Sequence, residues 1–196
     1  MEELQDYSGE FKADLKLQDL SKDALIRLWE CGAKLYIVTF GLWDKLIREK
    51  CGEDKVGELD HELWFRKGGI VELEMLFSRQ AMNIWGDDVA SVFKCFQIDP
   101  GMAGIMELKY ELKNKNHGIL TVERCRTLEY FERHNETTLL KHTCHGLEVK
   151  AYQRVAELFN PKMKAIPLKL PPRKNKEEIA CQWEYRIEEE AQTRRD

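Results

Sequence analysis

The sequence predicts an α+β protein: an N-terminal long helical hairpin, then a small antiparallel sheet with helices packed on one face. Three observations carry this. Apolar residues recur at three- and four-residue spacing from Leu25 to Phe77, alternate with polar ones from Met106 to Leu112, and alternate again at the C-terminal end, where Cys181, Trp183, Tyr185 and Ile187 share one side. The first pattern is helical and the other two are extended.

The helices come first. Ser21 is the expected N-cap of a helix over residues 22–50, stopped at Cys51-Gly52. A second helix is predicted over residues 54–79, with Gly68-Gly69 as a kink or a close crossing point. These two should pair antiparallel, and their apolar stripe exceeds what a small sheet can cover. The excess, with Trp29, Trp43 and Trp64 as anchors, predicts a homodimer interface. A short helix follows over residues 88–97, before Asp99-Pro100-Gly101.

After Gly101 the strand with Met106, Leu108, Tyr110 and Leu112 on one side turns at Asn114-Lys115-Asn116-His117-Gly118 into a second strand over residues 119–125. Helices are then expected over residues 127–134 and 136–159, the latter broken at Gly146. Residues 163–170 form a strand ended by Pro171-Pro172, and residues 179–187 form the last one. The chain thus divides into an arm (1–17), a helical region (18–101) and an α+β ligand-binding region (102–196), together one compact domain of 196 residues.

Composition narrows the function classes. Thirty-one basic and thirty-five acidic side chains give a net charge of −4, and the only basic runs, Lys162/Lys164 and Arg173-Lys174-Asn175-Lys176, are short. No basic face for nucleic acid is expected. No apolar run approaches the ~20 residues of a membrane span, and the acidic opening MEELQDYSGE has no signal-like pattern. A cytoplasmic protein is expected. Six cysteines, at 31, 51, 95, 125, 144 and 181, form no CxxC pair and are read as free thiols, core residues or site groups.

Three constellations are candidates for chemistry. Glu58-x-x-His61 has the spacing of one half of a di-iron site, but a single copy reads as surface. Cys144-His145 with His142 cannot form a nucleophile–base pair on one helix, because neighbours project about 100° apart. Cys125, Cys144, Glu148 and Cys181 are the stronger set: Cys144 and Glu148 lie four apart, and Cys181 is on the inward side of the last strand. Three thiols and a carboxylate would suit zinc. Buried thiols are equally ordinary packing residues.

The order TVERCRTLEYFERH, TCHGLEVKAYQ, CQWEY resembles the L-2-amino-thiazoline-4-carboxylic acid hydrolase family, which has a Cys after a strand, a Cys-x-x-x-Asp on a helix and a terminal Cys-Asp-Phe-like strand. Cys125, Cys144 with Glu148, and Cys181 fall at these places. Glu148 stands where the family has Asp, and Gln182-Trp183 replaces Asp-Phe. With NKNHG, FNPKMK and PLKLPPRKNKEEIACQWEY, the whole chain looks like an uncharacterised bacterial and archaeal cytosolic branch of that family. It is also distantly similar to the vinyl-reductase-type small-molecule-binding domains, a similarity that implies a pocket and a dimer.

The resemblance implies two functions. One is hydrolysis of a small sulfur- and nitrogen-containing ring, with Cys144 or a bound metal activating the nucleophile, Glu148 relaying a proton, and Cys125 and Cys181 completing the site. The other is a non-catalytic small-molecule- or metal-binding module.

Overall fold

Ser21 starts the first helix, α1 (Lys22–Cys51), by accepting the Ala24 N–H at 3.2 Å. Its own N–H reaches back to the Leu4 carbonyl at 2.9 Å, so part of the arm is tied to the helix entrance. The computed structural model describes residues 3–188; residues 1–2 of the arm and 189–196 of the C-terminal region lie outside them. At the other end Gly52 takes φ +91°, a backbone region that disfavours any side chain, and reverses the chain into α2 (Glu53–Phe65). The rings of Phe40 and Trp64, equally far from that turn, meet at 5.4 Å. The two helices are therefore antiparallel.

The second long helix predicted over residues 54–79 is in fact two. Arg66 is extended, Gly68 takes φ +72°, and α3 (Ile70–Met82) restarts from Gly69. A Cβ on Gly69 would stand 2.8 Å from the carbonyl oxygens of Leu63 and Arg66, closer than any side chain tolerates. The apolar period runs on across the two glycines, which is why spacing alone reads one helix. Freed from α2, α3 turns into the core, burying Val71 and Met75, and Arg79 lays its guanidinium over the Phe159 ring at 4.4 Å.

Asp88 caps α4 (Val89–Phe96) through the Ser91 N–H at 2.9 Å. Four antiparallel strands follow: β1 (Met106–Asn114), β2 (His117–Cys125), β3 (Met163–Lys169) and β4 (Cys181–Ile187), in the spatial order β1-β2-β4-β3. Between β2 and β3 run α5 (Arg126–His134), α6 (Thr137–Leu140), a π-helical turn (Lys141–Leu147) and α7 (Glu148–Phe159). The helical run expected to break at Gly146 does not break there. It widens into π winding instead, a device that recurs at functional sites.

Strand alternation decides which sheet face is inside. Leu120, Val122, Trp183 and Tyr185 are buried, while Thr121, Gln182 and Glu184 lie on the opposite face, where Gln182 bonds Thr121 at 2.9 Å and Glu184 pairs with His117 at 2.8 Å. Tyr152 of α7 stacks on Trp183 at 4.4 Å, and Phe96 of α4 meets Tyr152 and Tyr185 edge-on. α4 approaches so closely that a Cβ on Gly118 would stand 2.6 Å from the Phe93 ring. Leu112 departs from expectation: it is exposed, because it lies at the far end of an edge strand. Ile187 is only half-buried against the same core.

Helical and sheet residues share the main core, and Val122, Leu128 and Ala180 form a smaller cluster beside it. No residue of α1 belongs to either. Leu25, Leu28, Leu35, Leu42 and Leu46 are exposed with Trp29 and Trp43, whereas Trp64 is drawn inward against Phe40.

Candidate functional site

The inner side of α1, the ends of α2 and α3, the segment from α5 to α7, and the start of β4 surround a cavity of about 830 Å³, a size that accommodates a small organic ligand. Its walls are mainly apolar and aromatic, including Phe40, Trp64, Phe131, Leu139, Tyr152 and Trp183.

All four residues of the cysteine constellation reach this cavity: Cys125 at the end of β2, Cys144 in the π turn, Glu148 at the start of α7 and Cys181 at the start of β4. They also feel one another electrically. The Cys144 thiol is pushed well up by burial, then by Glu148, Cys125 and Cys181; Cys181 rises to about 12 by burial; Cys125 rises for the same reason. The Trp183 indole N–H contacts Cys181 Sγ at 3.3 Å. A thiolate is disfavoured at each position, so the surroundings do not activate a cysteine nucleophile.

Nor is a histidine base at hand. His142 Nε2 faces Asp60 at 3.3 Å, and His145 Nε2 meets the Pro171 carbonyl at 2.6 Å. Among the described residues no group of three or more His, Cys, Asp or Glu side chains is placed to hold a metal ion. The Glu58-x-x-His61 pair is spent on neighbours, Glu58 on Lys55 and His61 on the Phe65 ring at 5.0 Å.

The more telling group was invisible to motif reading. Tyr36 of α1 donates its hydroxyl proton to the Glu74 carboxylate of α3. Asp99, only 2% exposed, accepts the Met102 N–H at 3.0 Å. A Cβ on Gly101 would lie 3.1 Å from Asp99 Oδ1, 3.2 Å from Glu74 Oε1 and 3.2 Å from the Tyr36 ring, so the glycine lets the three converge. Tyr36, Glu74, Asp99, Gly101 and Glu148 all line the cavity.

Burial dominates the titration of these acids. It raises Glu148 from 4.5 to about 7, Glu74 from 4.5 to about 8 with help from Asp99, and Asp99 from 3.8 to about 6 against its backbone hydrogen bonds. The signal was present but weak: Glu74 sits on the same helical stripe as buried Val71, Met75 and Ser78, where a charge is out of place. Asp99 was hidden by its Pro-Gly neighbours, which read as turn chemistry.

A second polar group lines the cavity further along α1, where Asp44 and Arg48 pair at 3.0 Å and Asp60 meets His142. Eight residues separate Tyr36 from Asp44, a rise of ~12 Å. The cavity therefore has two polar ends and an apolar middle.

No curated protein and no solved structure is significantly similar to this chain. Residues 17–187 do match a family of unknown function, DUF6125, and by that match across most of its length the chain belongs to this family.

Proposed function

We propose that the chain binds a small organic molecule in the 830 Å³ cavity, with Glu148 meeting the polar part of that molecule. The observation that carries this reading is Glu148 itself: a half-buried carboxyl group lining an apolar cavity, with loss of solvent as the sole influence on its titration. Buried polar groups almost always have a partner, and a bound ligand would supply one. The experiment uses the uncharged dye N-phenyl-1-naphthylamine, whose fluorescence rises in apolar surroundings. Saturable binding of one dye per chain is the expected result, weakened by Ala151→Phe, which fills the cavity. Fluorescence that rises linearly without saturation would sink the reading.

A second reading is hydrolysis of a small sulfur- and nitrogen-containing ring. It is favoured by the Glu148 value of about 7, suited to a general base at neutral pH. In this reading Glu148 takes a proton from water, the hydroxide adds to the ring carbon between sulfur and nitrogen, and the proton passes to the departing heteroatom. Cys144, Cys125 and Cys181 then shape the site rather than attack. Turnover of 2-amino-thiazoline-4-carboxylate should vanish in Glu148→Gln and survive in Cys144→Ser; the reverse outcome restores the thiol nucleophile.

Three further expectations belong to the same proposal. Leu25, Leu28, Leu35, Leu42 and Leu46 fall at steps of three, seven, seven and four residues on the open face of α1, which fits a helix from a second copy. A homodimeric mass at micromolar concentration is expected from light scattering, and a monomer would remove this part. The unpaired state of all six cysteines fits a reducing cytoplasm. Zinc at Cys125, Cys144, Glu148 and Cys181 is read by metal analysis of protein purified without chelator.

A further inference from the structure

Among the described residues, three carboxyl groups meet one end of the cavity with no cation acting on them. Glu74 has the Tyr36 hydroxyl, Asp99 has backbone N–H groups, and Glu148 has neither; no lysine, arginine or histidine among the described residues acts on any of the three. The cluster also lacks the geometry to hold a metal ion among the described residues. Negative charge buried without a counter-ion is strongly unfavourable. The counter-ion this site lacks is one that a ligand can bring.

The walls say what else such a ligand carries. Phe40 lies against Trp64 at 5.4 Å and Tyr152 is stacked on Trp183 at 4.4 Å, and these rings line the cavity next to the acids. Aromatic faces attract ammonium groups and pack well against a flat or apolar body. We propose that the ligand is an organic cation, an amine or quaternary ammonium on an apolar body, with its charge held among Glu74, Asp99 and Glu148. This deepens the small-molecule reading above and rests on it.

Protons must move when such a cation binds. The groups facing the charge are Tyr36 from α1, Glu74 from α3, Asp99 from the α4–β1 connection, Cys125 and Cys181 from the sheet, and Cys144, Glu148 and Tyr152 from the π turn and α7. Of these, only the carboxyls titrate near neutrality, Asp99 at about 6, Glu148 at about 7 and Glu74 at about 8. A cation favours their ionised forms, so it releases protons and binds more tightly as pH rises from 6 to 8.

The test displaces N-phenyl-1-naphthylamine with three matched probes: 4-phenylbutylamine, 4-phenylbutanol and 4-phenylbutyrate. At pH 8 the amine should compete at least about tenfold better than the alcohol, equivalent to one decade in affinity, with butyrate weakest, and the amine's advantage should shrink at pH 6. Glu148→Gln and Glu74→Gln should each reduce the amine's advantage over the alcohol. If the alcohol or butyrate equals the amine, or the advantage survives both substitutions, the cation assignment is wrong while the cavity reading stands. Failure of the dye to bind the unmodified protein is the separate failure of the cavity reading, and it removes this inference too. Should both variants lose dye binding through misfolding, the pH dependence of amine displacement in the unmodified protein decides.

Discussion

The two polar ends of the cavity solve the same problem in opposite ways. At the α1 C-terminal end, Asp44 lies 3.0 Å from Arg48 and Asp60 lies 3.3 Å from His142, so each acid has a basic partner within the chain. At the Tyr36 end, Glu74, Asp99 and Glu148 have none among the described residues. Both ends are partly buried and both raise their carboxyls, since desolvation leads the causes for Asp44 and Asp60 as well. The difference lies in compensation: the paired end supplies its own counter-charges, whereas the unpaired end is stable only if its acids hold their protons or receive a cation. A site that waits for a partner is therefore distinguishable from an internal ion-pair network by what is missing, not by what is present.

The largest expected effect follows from that contrast. Glu74, Asp99 and Glu148 all titrate higher in the folded chain than their ordinary values of 4.5, 3.8 and 4.5. The folded protein then binds more protons than the unfolded one between the two sets of values, so stability must fall as pH rises. The contribution is fully present below the unfolded values and is lost through about 6, 7 and 8 as Asp99, Glu148 and Glu74 ionise in turn. Denaturant unfolding at pH 5.5 and 8.5 should differ on the order of several kcal/mol, and Glu148→Gln should flatten the slope by stabilising the chain at the higher pH. A stability that rises across this interval would mean that the three acids are compensated after all.

How much of this was legible beforehand varies with the kind of signal. Strand alternation fixed the inward positions of Trp183 and Tyr185, since a period of two leaves a side chain only two faces to choose from. The single helix over residues 54–79 was misread because apolar spacing carries no information about φ, and Gly68 at +72° ends what the pattern would continue. For the site, Cys125, Cys144, Glu148 and Cys181 could be grouped from their order along the chain, and all four reach one cavity. Tyr36, Glu74 and Asp99 could not, because they come from α1, α3 and a turn that only tertiary packing brings together. Long-range convergence is where a sequence read alone is weakest.

A smaller effect probes the paired end. Arg48 bonds Asp44 at 3.0 Å and approaches Glu53 at 3.4 Å, and its side chain is about one-fifth exposed. Arg48→Met keeps most of the volume and strands Asp44 next to Asp60, already raised by burial and then by its neighbour's charge. The cost should be ~1–3 kcal/mol, less than for a fully buried pair because water still reaches both partners. Preference for 4-phenylbutylamine over 4-phenylbutanol should not change. If the preference is lost instead, the two ends act as one site and the contrast between them fails.

The smallest effect concerns the helix that carries both ends. Ser21 Oγ accepts the Ala24 N–H at 3.2 Å and donates to Gln5 Oε1 at 3.0 Å, in a position only 4% exposed. Ser21→Ala removes the cap and leaves that N–H without its partner, which should cost ~1 kcal/mol in denaturant unfolding. Tyr36 lies fifteen residues further on, about four turns inside α1, and is held there by Glu74 and by the Phe40 ring at 4.8 Å. Fraying at the cap should therefore stop short of the cavity, so stability falls while the amine preference and its pH dependence stay as they are. A loss of both would mean that the N-terminal arm, through Leu4 and Gln5, sets the position of Tyr36 against Glu74. Ser21→Asp then separates the two causes: it restores a capping acceptor but cannot donate to Gln5 as an ionised carboxylate, so recovery of stability without recovery of the preference assigns the effect to the arm.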